Sequence, residues 1–387
     1  MTECRSVAAG RAGPVVIRRY RAGRPCVCLE EGRLVNDIGR PGGSARWRDP
    51  DPGEPTGAAT LADVGESWLL EQIGPQLGSA TGGPRVLLGP GDDAAVVAAG
   101  QPVVVSTDAM VRGHDWRDEW STPHDVAAKA VAQNLADLAA MGAEPTGLLV
   151  TLIADPATTV AWVLAFTEGL GAAAATAGCS VLGGDLSSAP PGTLAVSVTA
   201  LGAVAPGSWV GRDGARPGDR VAVCGTLGRS AAGLLLLQQG RPDADAALVS
   251  VHRRPKPPLL AGPQAARAGA RAMLDISDGL LLDGARIAAA SGVALAFDTD
   301  ALQPYAARLT STIGAAAAWG CVLGGGEEHS LLACFPGSPA SGTLPPGWTM
   351  IGRVRRGSGV LVDDEPVESR GWDHFGPGNQ GSRTCDD

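Results

Sequence analysis

The chain has 387 residues, 44% of them hydrophobic, and a formal net charge of −9. That length and apolar content predict a globular protein of two domains, and the acidic balance argues against nucleic-acid or anionic-membrane partners, which call for a clustered basic face. No apolar run approaches the roughly 18 residues of a membrane span, and the Arg-containing, Gly-broken N-terminus lacks the apolar stretch of a signal peptide, so a cytoplasmic protein is expected.

Residues 1–60 alternate Arg, Gly, Pro and Asp without sustained periodicity, which predicts a disordered extension or a misassigned start. Apolar positions at helical spacing in Asp63–Ile73 open the folded part. Short strands are predicted at Arg85–Leu88, Ala94–Val97 and Val103–Ser106. A helix follows from Pro123 to Met141: Thr122 can cap it, Pro123 suits its first turn, Asp125 completes a T-x-x-D box and Gly142 can end it. A second helix, Thr158–Ala177, leads into strand Ser180–Leu182, the turn GGDLSS and strand Leu194–Val204. The Gly- and Pro-rich stretch Gly207–Asp219 reads as a domain junction. Beyond it come strand Arg220–Cys224, helix Ser230–Gln239, strand Met273–Ile276, helix Leu280–Ala290 and strand Val293–Phe297. The pattern gives an α/β (α+β) class with an N-terminal domain over 61–206, a C-terminal domain over 207–375 and a flexible tail over 376–387. The eight cysteines are scattered, with Cys26 and Cys28 the closest pair, and read as thiols rather than as metal ligands.

Carboxylates recur where apolar runs meet glycine. Asp93 lies in VLLGPGDDAAVV, Asp108 in VVVSTDAM, Asp185 in SVLGGDLSS, Asp275 and Asp278 in AMLDISDGL, and Glu327 and Glu328 in VLGGGEEHS. Each sits at a predicted strand end. Asp137 belongs to the first long helix, on one side with Asn134 and Met141. Singly, such residues are ordinary turn formers. Converging, neighbours about 4 Å apart would repel by several kcal/mol per pair at an effective dielectric near 20, so a cation must sit among them. An all-oxygen donor set favours Mg²⁺, which is commonly completed by substrate phosphates and so points to a nucleotide. Neither G-x-x-x-x-G-K-[ST] nor G-x-G-x-x-G occurs, and there is no G-x-S-x-G elbow.

Taken in order, GDDAAVV, STDAMV, NLADLAAMGA, VLGGD, DISDGL and GGGEE resemble thiamine-monophosphate kinase over about residues 61–375. The resemblance implies the fold shared with aminoimidazole-ribonucleotide synthetase: an N-terminal α/β domain that joins its mate in a homodimer through a shared β-barrel, and a C-terminal α/β domain beside it. It implies ATP as phosphoryl donor, thiamine monophosphate as acceptor, and Mg²⁺ held by Asp93, Thr107, Asp108, Asp137, Asp185, Asp275 and Asp278. Gly184, Asp185, Arg212 and Ser277 match ATP-contacting positions. Glu327 and Trp372 match the thiamine side, where a tryptophan against a thiazolium also makes cation-π sense. In VRGHDWRDEWS, His114 or Asp115 stands where the family places a substrate-contacting histidine. The acceptor phosphate is already anionic near neutrality, its second pKa being about 6, so no general base is required.

The chain departs from the family in reading GGGEEHSL where GGGEDYEL is usual, and in carrying Leu186 after GGD. Lys129, on the helix of Asp137, reads equally as a neutraliser of the acidic cluster or as a surface lysine. Two alternatives stay open: a sibling synthetase of the selenophosphate or HypE type, for which Cys26, Cys28 or Cys385 would matter, and a non-catalytic metal- or nucleotide-binding module.

Overall fold

The computed structural model describes residues 59–60, 63, 72–73, 76, 86–88, 96–97, 100–337, 343–369 and 371–372. The GPGDD turn with Asp93, the tail 376–387 and nearly all of residues 1–60 and of the helix expected over 63–73 lie outside them.

A short antiparallel ribbon, β1 (Val86–Leu88) with β2 (Val96–Val97), precedes the first sheet. That sheet contains β3 (Val103–Val111), β4 (Glu144–Ala154), β5 (Ser180–Ser188) and β6 (Leu194–Ala203) in the order β3-β6-β4-β5. Only β4 and β5 pair in parallel. Strand alternation sends Met110, Leu148, Val150, Val196 and Val198 to one face, where helices α1 (Pro123–Ala140) and α2 (Val160–Thr176) cover them with Val126, Leu135, Val163 and Phe166. On the other face Val103 (44% exposed), Val105 (60%), Val111 (39%) and Leu149 (41%) lie open.

The start of α1 follows its sequence closely. Thr122 and Asp125 form the reciprocal capping box, Pro123 opens the helix, and Gly142 takes φ 76 just beyond its end.

The second sheet holds β7 (Arg220–Cys224), β8 (Ala272–Ile276), β9 (Ala294–Phe297), β10 (Ser330–Phe335), β11 (Trp348–Arg355), β12 (Gly359–Val362) and β13 (Glu365–Val367) in the order β13-β12-β9-β11-β7-β10-β8. Six more helices accompany it among the described residues: α3 (Arg229–Gln238), α4 (Ala246–Arg253), α5 (Ala261–Arg267), α6 (Leu280–Ser291), α7 (Thr299–Ile313) and α8 (Ala315–Gly324). One face of this sheet builds a core with α3, α6, α7 and α8 through Val221, Val223, Leu236, Ile287, Leu309 and Val322. The other face, with Ala222, Met273, Leu331, Phe335 and Trp348, receives Ala139 and Ala140 from the end of α1 and Ala261 and Ala265 from α5. Helix α1 is therefore packed between the two sheets.

Two strands run past their predicted ends, while β8 stops at Ile276 as predicted. The ladders with β6 and β4 carry β3 on to Val111 and β5 through GGDLSS to Ser188, so Asp108 and Asp185 lie within strands, and Asp275 lies within β8. Pairing partners override turn-forming residues here. Gly184 shows how closely β5 approaches: a Cβ there would stand 2.0 Å from the Val150 carbonyl oxygen.

Candidate functional site

The inward positions of β3, the middle of α1 and the end of β8 meet where the helix passes between the sheets. Asn134, fully buried on α1, accepts the Asp108 N–H through Oδ1 at 3.0 Å and donates to the Ala130 carbonyl at 2.9 Å. One helical turn on, Asp137 Oδ2 accepts from Ser106 Oγ at 2.5 Å. From the other sheet, Asp275 Oδ2 lies 3.0 Å from Nδ1 of His329, and both residues are buried.

Burial, followed by the negative charge of Asp275, lifts the Asp137 carboxyl from 3.8 to about 7; the Ser106 bond and His329 pull it down, and Asp108 adds to the rise. Burial alone would depress the His329 imidazole, yet the bond and charge of Asp275, helped by Glu327, hold it above its ordinary value against the opposing charge of Lys129. Carboxylates from two sheets thus share one low-dielectric region with a single imidazole against them.

Behind Asp275 the D-I-S-D-G turn is held from below. Asp283, 1% exposed in the first turn of α6, accepts the N–H groups of Asp278 and Gly279 at 2.9 and 3.0 Å. Arg286 then clamps both acids, with Nη1 2.5 Å from Asp283 and Nη2 2.7 Å from Asp278. Burial first, then the charges of Asp278 and Asp275, raise Asp283 to about 7 against the N–H of Asp278 and the guanidinium of Arg286.

The GGGEEHS loop docks onto this turn through Glu327 N–H to the Ser277 carbonyl at 2.8 Å and His329 N–H to the Ile276 carbonyl at 2.9 Å. Gly326 makes the approach feasible, since a Cβ would lie 2.5 Å from the Ser277 oxygen. Trp372 joins the same turn, its N–H donating to the Asp278 carbonyl at 3.1 Å.

The three side chains after those glycines part company. Glu327 reaches Lys129 Nζ at 2.6 Å and His252 Nδ1 at 3.3 Å. Glu328, also buried, accepts from Thr226 Oγ1 and from the Ser230 N–H at the start of α3, 2.8 Å, with burial raising its pKa. His329 turns to Asp275. Lys129 is 4% exposed, so it is no surface lysine, and it forms an ion pair with Glu327.

Other predicted residues stand elsewhere. Thr107 faces away from α1, its hydroxyl donating to the Val198 carbonyl at 3.0 Å. Asp185 is exposed on β5 and accepts from Ser187 Oγ at 2.6 Å. Two strands separate β5 from β3, which places Asp185 about 14 Å from the Asp108 strand. Arg212 is exposed and gives its carbonyl to Ser291 Oγ at 2.8 Å. His114 is exposed, whereas Asp115 Oδ2 accepts the Val111 N–H at 2.7 Å and closes its own turn. Among the described residues no group of three or more His, Cys, Asp or Glu side chains is arranged to hold a metal ion. Cys26, Cys28 and Cys385, on which the sibling-synthetase readings turn, lie outside the described residues.

Sequence reasoning missed Asp283, Arg286, Thr226, Ser230 and His252. The signal for the first two was an acid in the first helical turn after DISDG, the place where a carboxylate satisfies N-terminal amides, with a base three residues further on. The others carry no motif.

Residues 91–204 match the family AIR synthase related protein, N-terminal domain. The chain is 44% identical over 338 residues to a thiamine-monophosphate kinase of Mycobacterium tuberculosis, covering 84% of this chain and 97% of that one. It is 36% identical over 307 residues to the thiamine-monophosphate kinase of Escherichia coli K12, covering 75% and 92%. Among solved structures, AaThiL complexed with AMPPCP and TMP superposes with a TM-score of 0.66 at 32% identity, covering 80% of this chain and 97% of that one.

Proposed function

We propose that this chain, which belongs to the thiamine-monophosphate kinase family and is a phosphotransferase of that kind, passes the γ-phosphoryl group of ATP directly and in line to the phosphate of thiamine monophosphate. One observation carries the reading: carboxylates from β3, α1 and β8 meet between the two sheets, where burial first and then the charges of Asp275 and Asp108 lift Asp137 to about 7. An acidic cluster that strains its own ionisation is suited to gain from cationic company. Its donors are hard oxygens, the ligand type Mg²⁺ takes: Asp137 feels the charges of Asp108 and Asp275, and Asp278 stands on the adjoining turn, while no three of these side chains among the described residues are already arranged to hold an ion; Asp93, Thr107 and Asp185, apart from that cluster, are assigned to the proposed set with them. When bound, Mg²⁺ would neutralise charge on the phosphate oxygens of donor and acceptor.

The chain's own groups position. Gly184, Arg212 and Ser277 are assigned to ATP, and His114, Glu327 and Trp372 to the acceptor. Asp115 is occupied within its turn, which favours His114 as the phosphate-facing residue. The acceptor oxygen needs no base, because a monoester of second pKa about 6 is already a dianion near neutrality. Holding two polyanions in line is the catalytic task.

The open sheet face of Val103, Val105, Val111 and Leu149 supports a homodimer through that face, as a patch of exposed aliphatic residues suits a second sheet. No helix among the described residues is long and apolar enough to cross a membrane, and a cytoplasmic location is proposed. Residues 61–206 are assigned the nucleotide and dimer functions, and 207–375 the second domain. Thiamine diphosphate formation from ATP and thiamine monophosphate, with Mg²⁺ and in magnesium-free buffer, tests the function. ATP consumption that does not depend on thiamine monophosphate would refute it.

A further inference from the structure

Lys129 is one of two lysines in the chain, the other being Lys256. Burying an ammonium is unfavourable unless it is paired and hydrogen-bonded, and Lys129 is both. Its Nζ donates to the Asp115 carbonyl at 3.3 Å, in the loop after β3, and lies 2.6 Å from Glu327 Oε1, in the loop before β10. The other Glu327 oxygen lies 3.3 Å from His252 Nδ1 at the end of α4, and that nitrogen is also 3.3 Å from Ser230 Oγ. Glu327 meanwhile holds φ 59, a left-handed conformation that a non-glycine residue keeps only when its surroundings impose it. One compact cation thus joins two loops that come from different sheets.

We propose that Lys129 is a positioning residue for the acceptor: it ties the loop of His114 and Asp115 to the loop of Glu327 and so sets the gap that receives thiamine monophosphate. The inference rests on the kinase reading above for the identity of that acceptor. Glu327, engaged at both oxygens, then serves as the anchor of its loop. The effect is one-sided. Asp137 lies eight residues further along α1, about 12 Å away, so the donor side has its own supports in Ser106, Asn134 and Asp275.

Steady-state kinetics on Lys129→Met and on Lys129→Arg, beside wild type, test this. Lys129→Met is expected to raise KM for thiamine monophosphate about tenfold or more while KM for ATP stays within about twofold, and Lys129→Arg, which keeps a cation facing Glu327, to recover part of that loss. Equal rises in the two KM values, an unchanged KM for thiamine monophosphate, or a Lys129→Arg variant as impaired as Lys129→Met overturn the proposal. If Lys129→Met does not fold, Lys129→Arg carries the kinetic test, with a KM for thiamine monophosphate expected within about threefold of wild type and a larger rise counting against the proposal. Hydrogen exchange on the wild type gives a reading that needs no variant. Thiamine monophosphate alone should slow exchange in both 111–116 and 325–330, and protection of one segment without the other, or of neither, overturns the linkage. A wild type that consumes no ATP in the presence of thiamine monophosphate would sink the kinase reading itself; an active wild type with an indifferent Lys129→Met sinks only the positioning role.

Discussion

Replacing Asp137 by Asn should make the metal-free protein more stable at high pH while abolishing phosphoryl transfer. In the folded state burial and Asp275 raise the Asp137 carboxyl from 3.8 to about 7. Below about 4 both folded and unfolded chains hold this proton and nothing is lost. Between about 4 and 7 the folded chain keeps it and the unfolded chain releases it, so stability falls as pH rises; above 7 the full penalty stands. Three pH units at about 1.4 kcal/mol each cap that penalty near 4 kcal/mol, and sharing among Asp108, Asp275 and His329 lowers the share that Asp137 alone returns. An asparagine keeps the Ser106 contact through its amide oxygen and carries no charge. Thermal unfolding in EDTA at pH 5 and pH 8 is the assay, with about 2 °C per kcal/mol expected for a chain of this size. The wild type should lose more Tm between the two pH values than Asp137→Asn, and the variant should melt higher at pH 8. A variant that melts lower than wild type at pH 8 would refute the repulsion argument, and one that retains near-normal turnover with saturating Mg²⁺ would refute the role of Asp137.

Three further outcomes are expected. His114→Ala should raise KM for thiamine monophosphate far more than KM for ATP, whereas Asp115→Ala, which loses a bond to the Val111 N–H worth about 1 kcal/mol, should do little; the reverse ranking in steady-state kinetics would reject the assignment of His114. Glu328→Ala strips partners from Thr226 and Ser230 and should cost about 2 kcal/mol or more in urea unfolding, so an unchanged midpoint would deny the carboxylate its anchoring role. A chain shortened to begin near Thr60 should keep full turnover, and a twofold loss of affinity for either substrate would assign the first 60 residues a function.

How far the chain could be read in advance varied with the physics involved. The capping box of α1 and the bounds of β7 are local matters, and Thr122, Asp125 and the run Arg220–Cys224 announce them. β4 escaped because it opens on Glu-Pro-Thr-Gly, turn-like residues that become strand only by pairing with β6 along their length. GGDLSS is strand for the same reason, against β4. The acids of the site were legible as residues, but which of them meet was not. Asp137 and Asp275 are neighbours because α1 ends on the face of the second sheet, a fact of packing among Ala139, Ala140, Met273 and Phe335 that no local pattern encodes. Lys129 illustrates the limit, as its burial depends on two loops that close over it.

The backbone of Glu-Glu-His has its own consequence. Glu327 and His329 both adopt positive φ, 59 and 54, with Glu328 between them, and this reversal at alternate residues fans three neighbouring side chains toward α1, toward α3 and toward β8. A non-glycine residue held left-handed forgoes roughly 1 kcal/mol or more, and the fan requires two in a row of three. Glycine at 327 or 329 would relax the chain and erase a contact in the same stroke. The lost contact outweighs the relieved strain, because taking Glu327 from the buried Lys129 or His329 from the buried Asp275 costs about 3 kcal/mol or more, so a directed-evolution campaign that rewards heat resistance alone should leave this tripeptide untouched and seek its gains elsewhere in the chain.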